Sequence, residues 1–176
     1  EKDLKYKRAD NKVINPAHRP LNIDYDRYVT IKNNLRKNKY NPKKIFKSSF
    51  FNVVDVGFNS IFLKANKDLV TLLNKFNFDN SKIKKYIKIT EKNILKLYDK
   101  EKGTFFSKDI KNKKKIIIPS ITNYFVLFAD LNNTSINNRL IKNLKKHNDK
   151  EKYFFSSIKP NHKTFEEKRY WRGPVW

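Results

Sequence analysis

The stretch VDVGFNSIFLKANKDLVTLLNKF, Val54–Phe76, decides the fold class. Its apolar residues are Val54, Phe58, Ile61, Phe62, Ala65, Leu69, Leu72, Leu73 and Phe76. The gaps are mostly threes and fours, which match one stripe of a long α-helix and not the alternation of a strand. The spacing predicts that this stripe faces a core. Asn59, between Phe58 and Ile61, reads as a satisfied buried polar group.

Further helices follow on the same logic. Ser81 can cap a second helix reaching about Tyr98, with Ile83, Tyr86, Ile87, Ile94, Leu97 and Tyr98 inward. Asp99–Gly103 reads as a turn, and Thr104–Ser107 pairs with Ile116–Ile118 in a small hairpin. The run KNKKK at Lys111–Lys115 is then its solvated loop. A third helix carries Tyr124, Phe125, Phe128 and Leu131 inside. A fourth, capped by Ser135, carries Ile136, Leu140, Ile141 and Leu144. The short link between them predicts antiparallel neighbours. Upstream, residues 1–49 read as mostly irregular, with turns at Asn15-Pro16, Arg19-Pro20 and Asn41-Pro42 and a short helix at Tyr25–Leu35. Asp24 and Asp26 there are expected to make structural ion pairs with Arg19 and Arg27. The residues thus describe helix pairs with one inserted hairpin.

Composition narrows the class. The 176 residues suffice for one domain or part of one, and 38% hydrophobic and 14% aromatic content exclude disorder. The formal net charge of +24 raises a polyanion as partner. The lysines, however, accompany many Asn and Ile residues along the whole chain, as codon bias would give. There is no cysteine, so no disulfide frame and no thiolate metal site. His18, His147 and His162 have no metal-ligand spacing and read as surface or loop residues. No metal or other cofactor is expected, no apolar run reaches membrane-spanning length, and the expected location is cytoplasmic. The chain carries no methionine, and it is expected to be an internal piece of a longer protein.

The last eight residues, RYWRGPVW at Arg169–Trp176, have a different chemistry. Tyr170, Trp171 and Trp176 offer flat apolar faces with polar edges, which suit a sugar ring. Arg172 offers a planar fork for a carboxylate. Gly173 lets a ligand or another chain segment approach closely, and Pro174 fixes a corner that can open a helix. The competing reading is a Trp-rich corner that only caps a core.

This motif resembles the signature of glycoside hydrolase family 63 and related trehalase-like enzymes. RPLNIDYDRY at Arg19–Tyr28, FFNVVDVGFNSIFLKAN at Phe50–Asn66 and PSITNYFVLFA at Pro119–Ala129 resemble, in the same order, elements of the mannosylglycerate and glucosylglycerate hydrolase branch. The resemblance implies an all-α fold, a partial (α/α)6 barrel of helix pairs with the hairpin as an insertion. All of residues 1–176 would be an internal fragment of that one catalytic domain. It also implies an inverting α-glycosidase acting on a small glucoside or mannoside, including one with an acidic aglycone.

Such an enzyme uses a carboxylic acid and a carboxylate roughly 6.5–9.5 Å apart. By the resemblance, the acid belongs to a W-D-N-S-P-R-like motif before Glu1, and the base lies beyond Trp176. Glu166 and Glu167 match neither position. The residues carried over as substrate-binding are Tyr170, Trp171, Arg172, Gly173 and Trp176. The segment TFFSKDI at Thr104–Ile110 departs from the family pattern. Two other classes compete: a basic helical nucleic-acid-binding module, and a non-catalytic barrel scaffold. Against the nucleic-acid class, the periodicity gathers the lysines on no single helix face.

Overall fold

The computed structural model describes residues 4–147 and 155–173. Five α-helices run through it: α1 (Asn22–Lys37), α2 (Pro42–Ser48), α3 (Val56–Lys75), α4 (Ser81–Ile94) and α5 (Thr134–His147). Between them lie β1 (Val53–Val54), β2 (Tyr98–Asp99), β3 (Thr104–Phe105), β4 (Lys108–Asp109) and β5 (Lys114–Lys115). A 3₁₀ helix occupies Ile121–Leu127. Residues 155–173 run through bends and turns, tied to the rest by a β-bridge from Ser120 to Ile158 and by backbone hydrogen bonds to Pro119, Ile121 and His18.

The long helix is where the periodicity places it, but it is turned the other way. Val54 belongs to β1 and pairs with Lys108. Phe58, Ile61, Phe62, Leu69, Leu72 and Phe76 are exposed, and Phe58 is 71% exposed. The buried face of α3 is Val56, Gly57, Ser60, Leu63 and Asn66. Small residues explain the reversal. A Cβ on Gly57 would lie 3.1 Å from Cβ of Thr122, so the helix packs its backbone close to the 3₁₀ helix. Ser60 is closed off by donating to the Val56 carbonyl at 2.7 Å. Gly and Ser contribute little to a hydrophobic pattern yet permit the tightest packing. The core is Val56, Leu63, Ile94, Leu97, Phe105, Val126, Ala129, Leu131 and Leu140. It joins α3, α4, β3, the 3₁₀ helix and α5.

Other expectations are corrected in detail. Asn80, not Ser81, precedes α4, and Ser81 donates N–H and hydroxyl to the Asp79 carboxylate, both at 3.0 Å. The helix stops at Ile94, and Tyr98 begins a strand. Thr104–Phe105 pairs with Tyr98–Asp99, while the hairpin is Lys108–Asp109 with Lys114–Lys115. The last two lysines of KNKKK are therefore strand, and Lys115 reaches Asp99 at 2.9 Å. The third helix is 3₁₀, and it buries Asn123 and Val126, followed in the same register by Ala129. That spacing of three matches 3₁₀ geometry. Phe128, expected inside, is exposed. Asn133, rather than Ser135, caps α5 by accepting the Ile136 N–H at 3.1 Å, and Ile141 is exposed.

Upstream, Asn41-Pro42 starts a helix: Pro42 is its first residue and the Asn41 side chain accepts the Lys44 N–H at 3.1 Å. His147 is buried between the Tyr124 and Phe155 rings, against its surface reading. On α4, Lys85, Lys88 and Lys92 are exposed at helical spacing, so lysines do gather on one face. Asn59 is satisfied as expected, donating to the Asp55 carbonyl at 2.7 Å.

Candidate functional site

The corner is built by the N-terminal segment as much as by its own residues. The His18 carbonyl accepts the Tyr170 N–H at 3.0 Å, and the Arg19 carbonyl accepts Arg169 Nη1 at 2.6 Å. The Arg19 guanidinium lies 5.0 Å from the Tyr170 ring centroid, a cation–π distance. Tyr170 and Trp171 meet edge to face, 5.3 Å between centroids at 78°.

Trp171 has φ +59°, a left-handed conformation rarely taken by a bulky residue. Its side chain is nevertheless 56% exposed, so the strained backbone displays the indole instead of burying it. Observed strain of this kind collects at functional sites. The indole borders a cleft of about 260 Å³ whose walls include Phe51, Asp55, Ser107, Ser120, Thr122 and Asn123. Phe51 also lines a larger, apolar cavity of about 770 Å³ with Ile23, Asp24, Tyr28, Ile31 and Phe50.

The carboxylates of the cleft and of the corner are committed. Asp55 accepts the Phe58 N–H at 2.7 Å and the Ser107 hydroxyl at 3.0 Å. Asp24 accepts the Leu21 N–H at 3.2 Å and lies 3.5 Å from Arg27. Glu166 pairs with Arg169. Arg172 stands between Asp24 at 3.9 Å and Glu166 at 3.8 Å. Asp26 is bonded instead by the Tyr6 hydroxyl at 2.8 Å, and Arg19 by Asp10 at 3.0 Å, so the expected pairing holds for Asp24 with Arg27 alone. Such a cleft can stack and hydrogen-bond a ring, whereas none of these three groups is poised as an acid or base.

Gly173 serves the fold. A Cβ there would lie 2.4 Å from the Glu167 carbonyl oxygen and 2.5 Å from that of Glu166. It is another chain segment that approaches this glycine. Pro174 and Trp176 lie outside the described residues, so of the five expected binding residues the structure brings together Tyr170, Trp171, Arg172 and Gly173. Sequence reasoning missed Arg8 and Asp10. Arg8 forks onto Asp10 at 3.1 and 2.8 Å, and its guanidinium stacks 3.9 Å over the Tyr25 ring. Arg8, with burial opposing and Arg19 and Tyr25 adding, holds the Asp10 carboxyl well below the usual carboxylate range. The density of Arg, Asp and Tyr before α1 was the available signal. Among the described residues no cluster of His, Asp and Glu could hold a metal ion. No described helix is long and apolar enough to cross a membrane.

A family profile described as the mannosylglycerate hydrolase MGH1-like glycoside hydrolase domain matches residues 1–176. The chain belongs to this family. It is 36% identical over 171 residues to the mannosylglycerate hydrolase of Thermus thermophilus, covering 97% of this chain and 41% of that one. It is 25% identical over 180 residues to the glucosylglycerate hydrolase of Mycolicibacterium hassiacum, covering 97% and 40%. The crystal structure of the Thermus thermophilus GH63 mannosylglycerate hydrolase with Tris and D-glycerate superposes with a TM-score of 0.95 at 36% identity, covering 100% of this chain and 43% of that one. The same enzyme with glucose gives a TM-score of 0.92. The chain thus spans about two fifths of the length of these family members.

Proposed function

We propose that residues 1–176 supply the aromatic binding corner of an inverting α-glycoside hydrolase that acts on mannosylglycerate or glucosylglycerate. The observation that carries this is Trp171, held exposed in a left-handed backbone beside a mixed apolar and polar cleft, within the RYWRGPVW motif of a family member. A relative bound to D-glycerate and, separately, to glucose supports a small glycoside with an acidic aglycone as substrate. Tyr170 and Trp171 pack against the sugar or the aglycone, and Arg172 either meets the glycerate carboxylate or holds a protein carboxylate. Trp176 belongs to the same corner by its motif. The general acid precedes Glu1 and the general base follows Trp176. The architecture is part of an (α/α)6 barrel, and the exposed apolar stripe of α3 is the face against which further barrel helices pack.

The test is hydrolysis by the full-length protein. Mannosylglycerate or glucosylglycerate should yield free sugar of inverted anomeric configuration, read by NMR at early times. Retention of configuration, or no turnover of either glycoside, sinks the proposal. The 176-residue chain alone should release no sugar. Arg172→Lys separates the two roles of that residue. A raised KM for the glycerate compounds, with neutral glycosides unaffected, assigns it to the substrate carboxylate. A lowered kcat for all substrates assigns it to a protein carboxylate.

A further inference from the structure

The ionic cluster of Arg8, Asp10 and Arg19 lies outside the corner motif, and its side chains are only 11%, 13% and 21% exposed. We infer that Arg19, held by Asp10, is a positioning residue for the Tyr170–Trp171 platform; the inference rests on the binding role proposed for that platform.

Residues 18 and 19 meet the corner in three ways with separate consequences. The two carbonyls, of His18 and Arg19, fix the backbone of Tyr170 and the side chain of Arg169. The Arg19 guanidinium meets the Tyr170 ring, and so governs how that ring is tilted. Trp171 touches Tyr170 edge to face, so the tilt passes to the exposed indole. The guanidinium itself is aimed by Asp10, whose Oδ2 accepts Arg19 Nε at 3.0 Å. Asp10 is fixed in turn by the fork of Arg8, and Arg8 is braced by Asn22 Oδ1 at 2.7 Å and by the Tyr25 face. The cluster therefore runs from the start of α1 to the cleft as a chain of planar groups, each oriented by the last. A lysine in place of Arg19 would keep the charge but not the plane that stacks on the ring.

The test uses the full-length protein labelled with 5-fluorotryptophan, with the Trp171 ¹⁹F line assigned through Trp171→Phe. In Arg19→Lys the Trp171 line should shift and broaden. KM for the glycerate glycoside should rise about tenfold, the scale set by losing a desolvated cation–π contact that aims the platform. The kcat should change far less, and the melting temperature should hold, which a merely structural role would not give. Asp10→Asn should move both readouts in the same direction. An unchanged ¹⁹F line in both variants overturns the inference, and so does a shifted line with an unchanged KM. A parent protein that hydrolyses neither glycoside sinks the functional reading instead, and the ¹⁹F line then decides the positioning claim alone.

Discussion

Asp10 accepts hydrogen bonds from two guanidinium groups, and this fixes how the N-terminal segment responds to acid. A carboxyl depressed in the folded state stabilises it above the unfolded pKa of about 3.9 and loses that contribution as pH falls toward the folded value. The melting-temperature gap between the parent and Asp10→Asn should be constant from neutral pH to about pH 5, then narrow as pH drops below about 4. Thermal melts at several pH values check this, and a gap that widens in acid contradicts it. Asp79, Asp99 and Asp109 are lowered too, by backbone hydrogen bonds from Ser81, Lys102 and Asn112, so the acid limb survives in the variant in weaker form. Gly173 makes the second prediction at this scale. Gly173→Ala forces a Cβ against two carbonyl oxygens and should cost about 1–3 kcal/mol, as overpacking does. Denaturant unfolding measures it. The motif was legible as a corner, but its chemistry was only half legible. Sequence offers Gly173 as open to ligand or to chain, and only the carbonyls of Glu166 and Glu167 decide for chain. Nor does any local pattern bring Arg8, Asp10 and Arg19 to a residue as distant as Tyr170, because that contact is made by the fold.

At the scale of the element, α3 shows both the reach of periodicity and its limit. Its existence and length follow from three-and-four spacing, and the structure places it at Val56–Lys75. Its orientation does not follow, because both sides can pack. Periodicity assigns the large residues to the core side, whereas Gly57, Ser60 and Leu63 lie against the core and Phe58 and Leu72 are exposed. The two sides are separable by experiment. Leu63→Ala opens a cavity at a fully buried site and should cost the 176-residue chain about 2–5 kcal/mol. Phe58→Ala should change stability by less than about 0.5 kcal/mol. Comparable losses in urea unfolding would restore the first orientation. The 3₁₀ helix at Ile121–Leu127 is hidden from periodicity for a related reason: three-residue and four-residue spacings overlap within seven residues. The hairpin slipped because β3 found β2, across a turn that places Gly103 at φ +63°.

The whole molecule combines a net charge of +24 with an apolar stripe along one helix, and the two answer oppositely to salt. Self-repulsion keeps copies of the 176-residue chain apart when the Debye length is about 30 Å, at about 0.01 M salt. Near 1 M the length is about 3 Å, and the exposed Phe58, Ile61, Phe62, Leu69, Leu72 and Phe76 can then meet. Light scattering should therefore show association that grows with salt. The triple variant Phe62→Ser, Leu69→Ser, Leu72→Ser should associate far less at high salt, because it breaks the stripe and leaves the charge. Contact with a polyanion runs the other way, since each neutralised phosphate releases counterions and affinity falls as salt rises. The exposed Lys85, Lys88 and Lys92 of α4 should give such a contact only in its weak, salt-labile form. Filter binding of duplex DNA across the same salt series measures it. Binding that persists at physiological salt with a sequence preference would make the lysine face a selected surface. Association that falls with salt would show that the stripe is not what joins the copies.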